Sequence, residues 1–321
     1  VHSAGPPLVV NLNVGDQDGT VAKVEVYEGS VKVGEINQAP FSSWTLPSPR
    51  LGKQIYTFRA SDNLGAIRTS DPFEVNVVPV GGQGSVFFGG TDDYVTFGDA
   101  PELKLRMFTL ECWFKREGPG AEASTGSGGV SGLPLISKGR GENDSRTFNC
   151  NYFLGVRQSD GVLVADFEDY NSGLNHPVIG KTATRLGEWN HAAVTFDGTE
   201  WKLYLNGQLE TVSNTNGQVP EWVSIQHAGL GAAMNSTGVP EGAFCGYMDE
   251  VRVWDYARSG TEISAAMTHE IPSGGGLVAR YGFDQSVGST LAGTSGPQGT
   301  LTNGTIWTPA YGAPVPSPNA L

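Results

Sequence analysis

The sequence predicts an all-β chain of two domains. Its 45 glycines and 19 prolines are scattered between short runs of Val, Ile, Phe, Tyr and Trp, the punctuation of many strands and turns rather than of helices. Within those runs the side chains alternate with the period of two that a half-buried strand requires. A length of 321 residues is enough to bury a core in each of two domains.

In the first domain, expected over residues 1–80, strand-period runs fall at 8–12, 21–27, 31–36, 55–60 and 73–78. In the second of these, Ala22, Val24 and Val26 form an apolar face, while Val21, Lys23, Glu25 and Tyr27 form the other. Asp16-Gln-Asp-Gly19 and Asp62-Asn-Leu-Gly65 supply the side-chain acceptors and glycines of turns. Short strands at this spacing predict a sandwich of about seven strands, the immunoglobulin-like solution. The order Asp-x-Asp-Gly-Thr-Val-x-Lys-Val-Glu-Val-Tyr, then Ala-Pro-Phe and Ala-Ser-Asp-Asn-x-Gly-Ala, resembles the bacterial immunoglobulin-like modules that act as spacers in exported proteins. That resemblance implies a first domain without chemistry of its own.

Residues 80–84 (Val-Gly-Gly-Gln-Gly) read as a joint, and the second domain is expected over 84–310, with 310–321 as a tail. Two strands flank the turn Gly89-Gly-Thr-Asp-Asp93. Further strands are expected at 108–115, 134–138, 151–157, 161–167, 191–196, 201–205, 224–228 and 247–254. Phe108, Leu110, Cys112 and Phe114 share one face, which makes Cys112 a buried apolar filler. Asp197-Gly198 and Asn206-Gly207 are two-residue hairpin signals that bracket 201–205 as a meander strand. The insertion 118–132, nearly all small residues, reads as a mobile surface loop without a core. The one predicted helix is 259–267, with Ser259 as N-cap and Glu262 at the capping-box position.

The phrases Phe-x-Gly-Thr-Asp-Asp-Tyr-Val, Phe-Thr-Leu-Glu-x-Trp, Leu-Ile-Ser-Lys-Gly, Glu-Trp-Asn-His-Ala-Ala-Val-Thr-Phe-Asp-Gly, Trp-Lys-Leu-Tyr-Leu-Asn-Gly and Gly-Tyr-Met-Asp-Glu-Val-Arg-Val-Trp follow in this order over 84–268. They resemble the laminin-G-like jelly roll of the concanavalin A-like lectin and glucanase superfamily. The resemblance implies two packed antiparallel sheets and, in many relatives, a structural calcium and a glycan or protein ligand. The closing stretches 276–284 and 301–307 resemble a strand pair found beside such domains, and completion of this domain is the expectation.

A net charge of −13 with only 17% charged residues argues against a phosphate-tracking partner, so nucleic acid is not expected. Three cysteines, Cys112, Cys150 and Cys245, allow one disulfide, with Cys150 and Cys245 as the conceivable pair. No apolar run reaches eighteen residues, so no membrane insertion is expected, and the start at Val1 reads as a processed or excised fragment. A secreted or cell-surface location follows from the resemblances.

The resemblance points to Asp249 as a calcium ligand, with Asp92, Asp93 and the carbonyl of Gly90 completing the set, because calcium takes mixed carboxylate and backbone oxygens. The alternative is that Asp92 and Asp93 shape a turn while Asp249 pairs with Arg252. A polar ligand site around Asn143, Asp144, Tyr152 and Asn235 is a second candidate, implied by the distantly related pentraxins. Glycan binding needs an exposed ring against the apolar face of a sugar; Trp222 and Tyr170 lie in loop-like sequence, while Trp113, Trp189 and Trp254 are expected in the core. Asp16, Asp18 and Asp62 admit a cation or a turn.

Catalysis finds little support. Asp166 and Glu168 share a face, but the third acid and the spacing of a glucanase strand are missing. No His-Glu-x-x-His or Gly-x-Ser-x-Gly occurs. The expected function is therefore a non-catalytic, calcium-stabilised binding or adhesion module for a glycan or a cell-surface protein. A structural adhesion unit and a remote glycoside hydrolase are the alternatives.

Overall fold

The computed structural model describes residues 2–3, 8–46, 52–78, 84–142, 149–284, 288–308 and 311–315. The chain is nearly all β and divides into two compact units, Val1–Val80 and Gly81–Leu321.

In the first unit a six-stranded sheet runs in the order His2–Ser3, Phe73–Val78, Gly52–Asp62, Val21–Glu28, Val31–Ile36, with Ile67–Thr69 beside Gly52–Asp62. A two-stranded sheet pairs Leu8–Asn11 with Ser43–Leu46. Between them lie Leu8, Val10, Val24, Val26, Trp44, Tyr56, Phe58 and Val75. Trp44 is the centre of this core, its ring 5.2 Å from Tyr56 and 5.9 Å from Phe58. Val24 and Val26 are buried, as the alternation requires, but Ala22 is exposed.

The second unit is a two-sheet jelly roll. One sheet orders Val178–Ile179, Leu163–Asp166, Tyr152–Val156, Ser131–Lys138, Ala228–Leu230, Tyr94–Gly98, Gly299–Thr302, Thr290–Leu291, with Ala123–Ser124 beside Ser131–Lys138. The other orders Gln208–Asn214, Glu200–Leu205, Trp189–Phe196, Phe108–Arg116, Cys245–Trp254, Val86–Gly89, Ile306–Trp307, with Leu277–Tyr281 beside Cys245–Trp254. All of these pairings are antiparallel. Phe108, Leu110, Cys112 and Phe114 all point between the sheets. The Asn206-Gly207 turn has the left-handed φ values, 50° and 75°, that a tight hairpin needs. The closing stretches do not pair with each other: Leu277–Tyr281 joins the eight-stranded sheet, and the Gly299–Thr302 strand joins the nine-stranded one. The helix Gly260–Ala266 carries the expected capping box of Ser259 and Glu262.

Three expectations are corrected. The small-residue insertion is not a coreless loop: it contributes the strand Ala123–Ser124, and Ala123 and Val130 bury against Phe153, Val164, Cys150 and Ala233 on the outer face of the nine-stranded sheet. Small residues cannot make a core alone, but they can roof one. The strand expected at 224–228 lies later, at Ala228–Leu230, because Ser224 and Gln226 serve a loop. All three cysteines are free; Cys150 adjoins a strand of one sheet and Cys245 starts a strand of the other.

Candidate functional site

Two loops, 168–173 and 219–224, are stitched together at one rim of the jelly roll. Tyr170 N donates to Val219 O at 2.9 Å and Glu221 N to Glu168 O at 2.8 Å, while Ser224 Oγ donates to Asn149 O at 2.8 Å. Asp169, fully buried, closes the first loop by accepting from Ser172 N and Ser172 Oγ, both at 2.7 Å. This scaffold sets the Tyr170 and Trp222 rings 5.8 Å apart and 32° from parallel. Tyr170 is 39% exposed and Trp222 half-buried, and the exposed Arg106 guanidinium stands 5.7 Å over the indole. Two rings held by backbone hydrogen bonds, one of them with a cation over a face, combine apolar surface with polar donors. The sequence singled out both rings; Arg106 it did not, since only the folded loop brings residue 106 over residue 222.

The residues of the second candidate are placed only in part. Asn143 and Asp144 lie outside the described residues. Tyr152 points inward, not outward: it is 1% exposed, its ring is 5.2 Å from Phe108 and its hydroxyl donates to Leu103 O at 3.2 Å. Leu154 and Val156 lie on the same side of the strand and join it in the core between the sheets. Asn235 is tied up in its own turn, accepting from Thr237 N, Thr237 Oγ1 and Val239 N, and it donates to Glu142 Oε1 at 3.2 Å. Around it the residues that sequence reasoning missed form a polar patch. Arg140 pairs with Glu241 and with Glu142, and its backbone N donates to Gln226 Oε1 at 2.6 Å. Beneath, Lys138 is fully buried, and desolvation pulls its pKa down to about 8.

Asp166 and Glu168 do not face a cleft as a hydrolytic pair. Asp166 is fully buried beneath the turn 125–130: it takes the Thr125 hydroxyl, and a Cβ on Gly129 would stand 2.4 Å from its Oδ2. Glu168 accepts from the backbone N–H groups of Asn149 and Cys150. Burial raises both carboxyls to about 7. Each acid therefore holds a loop in place.

The calcium candidates are brought to different places. Gly89 pairs with Cys245, and Asp249 lies four residues further along that strand, roughly 13 Å away at about 3.3 Å per residue. Asp93, 5% exposed, accepts from Gly89 N and Gly304 N, stapling its own turn to the one after Gly299–Thr302. Asp92 is exposed and holds Asn303 Nδ2 through its carbonyl. The Gly90 backbone lies in the left-handed region, and a Cβ there would meet Cys245 Cβ at 2.6 Å, so its glycine serves a tight turn. Asp249, 3% exposed, accepts from Glu250 N at 2.7 Å and Ala313 N at 2.8 Å; Arg252 pairs instead with Glu250. Asp249, Asp92, Asp93 and Gly90, the expected ligands of one calcium, are thus each engaged with main-chain or turn partners here. Calcium wants six to eight converging oxygens, whereas here the carboxylates face N–H donors. Among the described residues no group of three or more His, Cys, Asp or Glu is placed to hold a metal ion. A turn is also what Asp62 makes, with Leu64 N and Ala66 N both at 2.8 Å. A thermal melt with and without chelator is expected to give the same Tm; a fall with chelator would restore a cation that binds the folded form.

Among proteins of known sequence, pappalysin-1 of Mus musculus is 24% identical over 195 residues and that of Homo sapiens 25% over 197, covering 57% and 58% of this chain. The matched part amounts to 11% of the length of these curated relatives. A solved structure from Bacteroides ovatus ATCC 8483, a protein to which carbohydrate binding is provisionally ascribed, superposes with a TM-score of 0.51 at 15% identity, covering 98% of this chain and 96% of that one. At that identity the likeness speaks for the fold alone. The sequence model of the concanavalin A-like lectin/glucanases superfamily matches residues 88–264. With more than half of its length in that match, the chain belongs to the concanavalin A-like lectin/glucanase superfamily.

Proposed function

We propose that this chain is a non-catalytic carbohydrate-binding module of an extracellular protein, its jelly roll carrying the ligand and its first unit serving as an immunoglobulin-like spacer. The observation that carries the reading is the Tyr170–Trp222 pair, two ring faces fixed at an open rim with Arg106 beside them. A pyranose presents an apolar C–H face to such rings and hydroxyls to a guanidinium. The carbohydrate binding provisionally ascribed to the Bacteroides ovatus protein is in keeping with this. The engagement of Asp166 and Glu168 in loop anchoring weighs against the hydrolase alternative. No helix among the described residues is long and apolar enough to cross a membrane.

A glycan array followed by titration calorimetry tests the reading. Trp222→Ala and Tyr170→Ala are each expected to weaken binding about 2- to 12-fold, the loss of one ring contact worth roughly 0.5–1.5 kcal/mol. An array without a hit, or affinities unchanged in both variants, would remove the proposed surface.

A further inference from the structure

The outer face of the eight-stranded sheet carries a row of side chains set by register. Phe87 pairs with Tyr247, Tyr247 with Lys115 and Lys115 with Trp189, so four neighbouring strands present these side chains side by side. Two positions along, Trp113 stands opposite Asp249. Residues 311–315, Tyr-Gly-Ala-Pro-Val, lie on this surface. The Tyr311 ring is 4.5 Å from that of Tyr247 and 6.5 Å from that of Trp189, and the Lys115 ammonium stands over both tyrosine rings at 4.8 and 5.5 Å. Ala313 is fully buried and Val315 2% exposed, packed on Trp113 with Trp189 and Met267 alongside. The backbone is also gripped: Ala313 N donates to Asp249 Oδ2 at 2.8 Å, the Ser85 hydroxyl donates to Tyr311 O, and Thr308 N donates to Ser85 O at 2.9 Å. Val315 N turns back on Ala313 O at 2.7 Å, leaving Pro314 exposed.

These are the parts of a peptide site: an aromatic and apolar floor with room for small side chains, and a buried carboxylate aimed at a backbone N–H. Among the described residues Asp249 has no cationic side chain as a hydrogen-bond partner, and both of its oxygens accept from main-chain N–H groups. We propose that this face is a peptide-docking groove whose occupant is the chain's own 311–315 segment, with Asp249 as the positioning residue that reads the Ala313 N–H. The groove is independent of the Tyr170–Trp222 rim, so neither reading depends on the other.

The test supplies the occupant in trans. A chain ending at Thr308 is titrated with a synthetic peptide of residues 309–321, following Trp113 and Trp189 fluorescence. Saturable one-to-one binding is expected. A peptide N-methylated at Ala313 is expected to bind about tenfold more weakly, the loss of one buried hydrogen bond. A folded shortened chain that does not bind, or that binds both peptides equally, overturns the proposal. If the shortened chain does not fold, hydrogen exchange on the full chain decides. Asp249→Asn is then expected to speed exchange at the Ala313 amide at least tenfold while the Leu110 amide is unchanged; equal exchange at Ala313 in both proteins overturns it.

Discussion

Glu111→Ala is expected to destabilise the jelly-roll unit by about 3–5 kcal/mol, the cost of removing one partner from a buried ion pair. Glu111 is fully buried on the outer side of Phe108–Arg116. Its Oε1 accepts from Arg258 Nη1 at 2.7 Å and from Trp254 Nε1 at 2.8 Å, Arg252 Nη1 lies 3.8 Å away, and His191 Nε2 is 3.5 Å from Oε2. Burial holds His191 neutral, with its pKa pulled down to about 4. The imidazole therefore supplies no charge at neutral pH, and Glu111 answers to the arginines. Arg252 keeps Glu250 as a partner, whereas Arg258 is left with the carbonyl of Glu262, the Tyr256 side chain and its stacking on Trp254, none of them a carboxylate. Truncation would thus strand a guanidinium, 6% exposed, and an indole N–H. Because Arg258 immediately precedes the Ser259 cap, the helix Gly260–Ala266 should loosen with it. Glu111→Gln keeps an acceptor for Trp254 without the charge, so it should cost less than Glu111→Ala. Denaturant unfolding followed by tryptophan fluorescence measures both. A cost under about 1 kcal/mol for the alanine variant would mean that water or rearranged neighbours replace the carboxylate.

The fold was legible where one face of a strand meets the core and a turn has its own chemistry. Alternation placed Phe108, Leu110, Cys112 and Phe114 together, and Asn206-Gly207 with Ser259 and Glu262 marked a hairpin and a helix start from local hydrogen bonding alone. It was less legible where both faces are covered. Tyr152–Val156 is buried at every position, so period two vanishes and the direction of Tyr152 has no local signal. The cover itself comes from the Gly-rich insertion, whose composition reads as loop, yet whose Ala123 and Val130 complete a surface built by other strands. Sites suffer most from distance along the chain. Asp249 finds its partner 64 residues later, at Ala313, and Glu111 meets Arg258 after 147. No motif encodes either meeting, and a resemblance supplies the role of a relative's carboxylate rather than that of this one. Trp222 and Tyr170 were recognisable as ring-bearing loop residues, but their approach depends on Asp169 and the Val219 carbonyl closing two loops against each other.

Trp201→Ala should cost a further 3–5 kcal/mol, the range of large-to-small changes in a well-packed core. Trp201 is fully buried and touches three other rings edge-on: Phe108 at 5.5 Å, Phe167 at 5.3 Å and Phe196 at 6.0 Å. Those rings come from both sheets, Phe108 and Phe196 from the eight-stranded one and Phe167 from just beyond Leu163–Asp166 of the other. The cavity would therefore open at the joint between the layers. Phe108 and Phe196, fixed in strands, cannot slide in to fill it, since each is held by its own ladder. A smaller ring separates size from polarity. Among the described residues the Trp201 indole N–H has no hydrogen-bond acceptor, and an orphaned buried donor carries a desolvation cost. Trp201→Phe removes that donor while keeping most of the aromatic contact, so its net cost should stay below about 1.5 kcal/mol. If the phenylalanine variant were as unstable as the alanine variant, the indole N–H would have to be satisfied in solution, and the three-ring contact would not be what holds the two sheets together at this point.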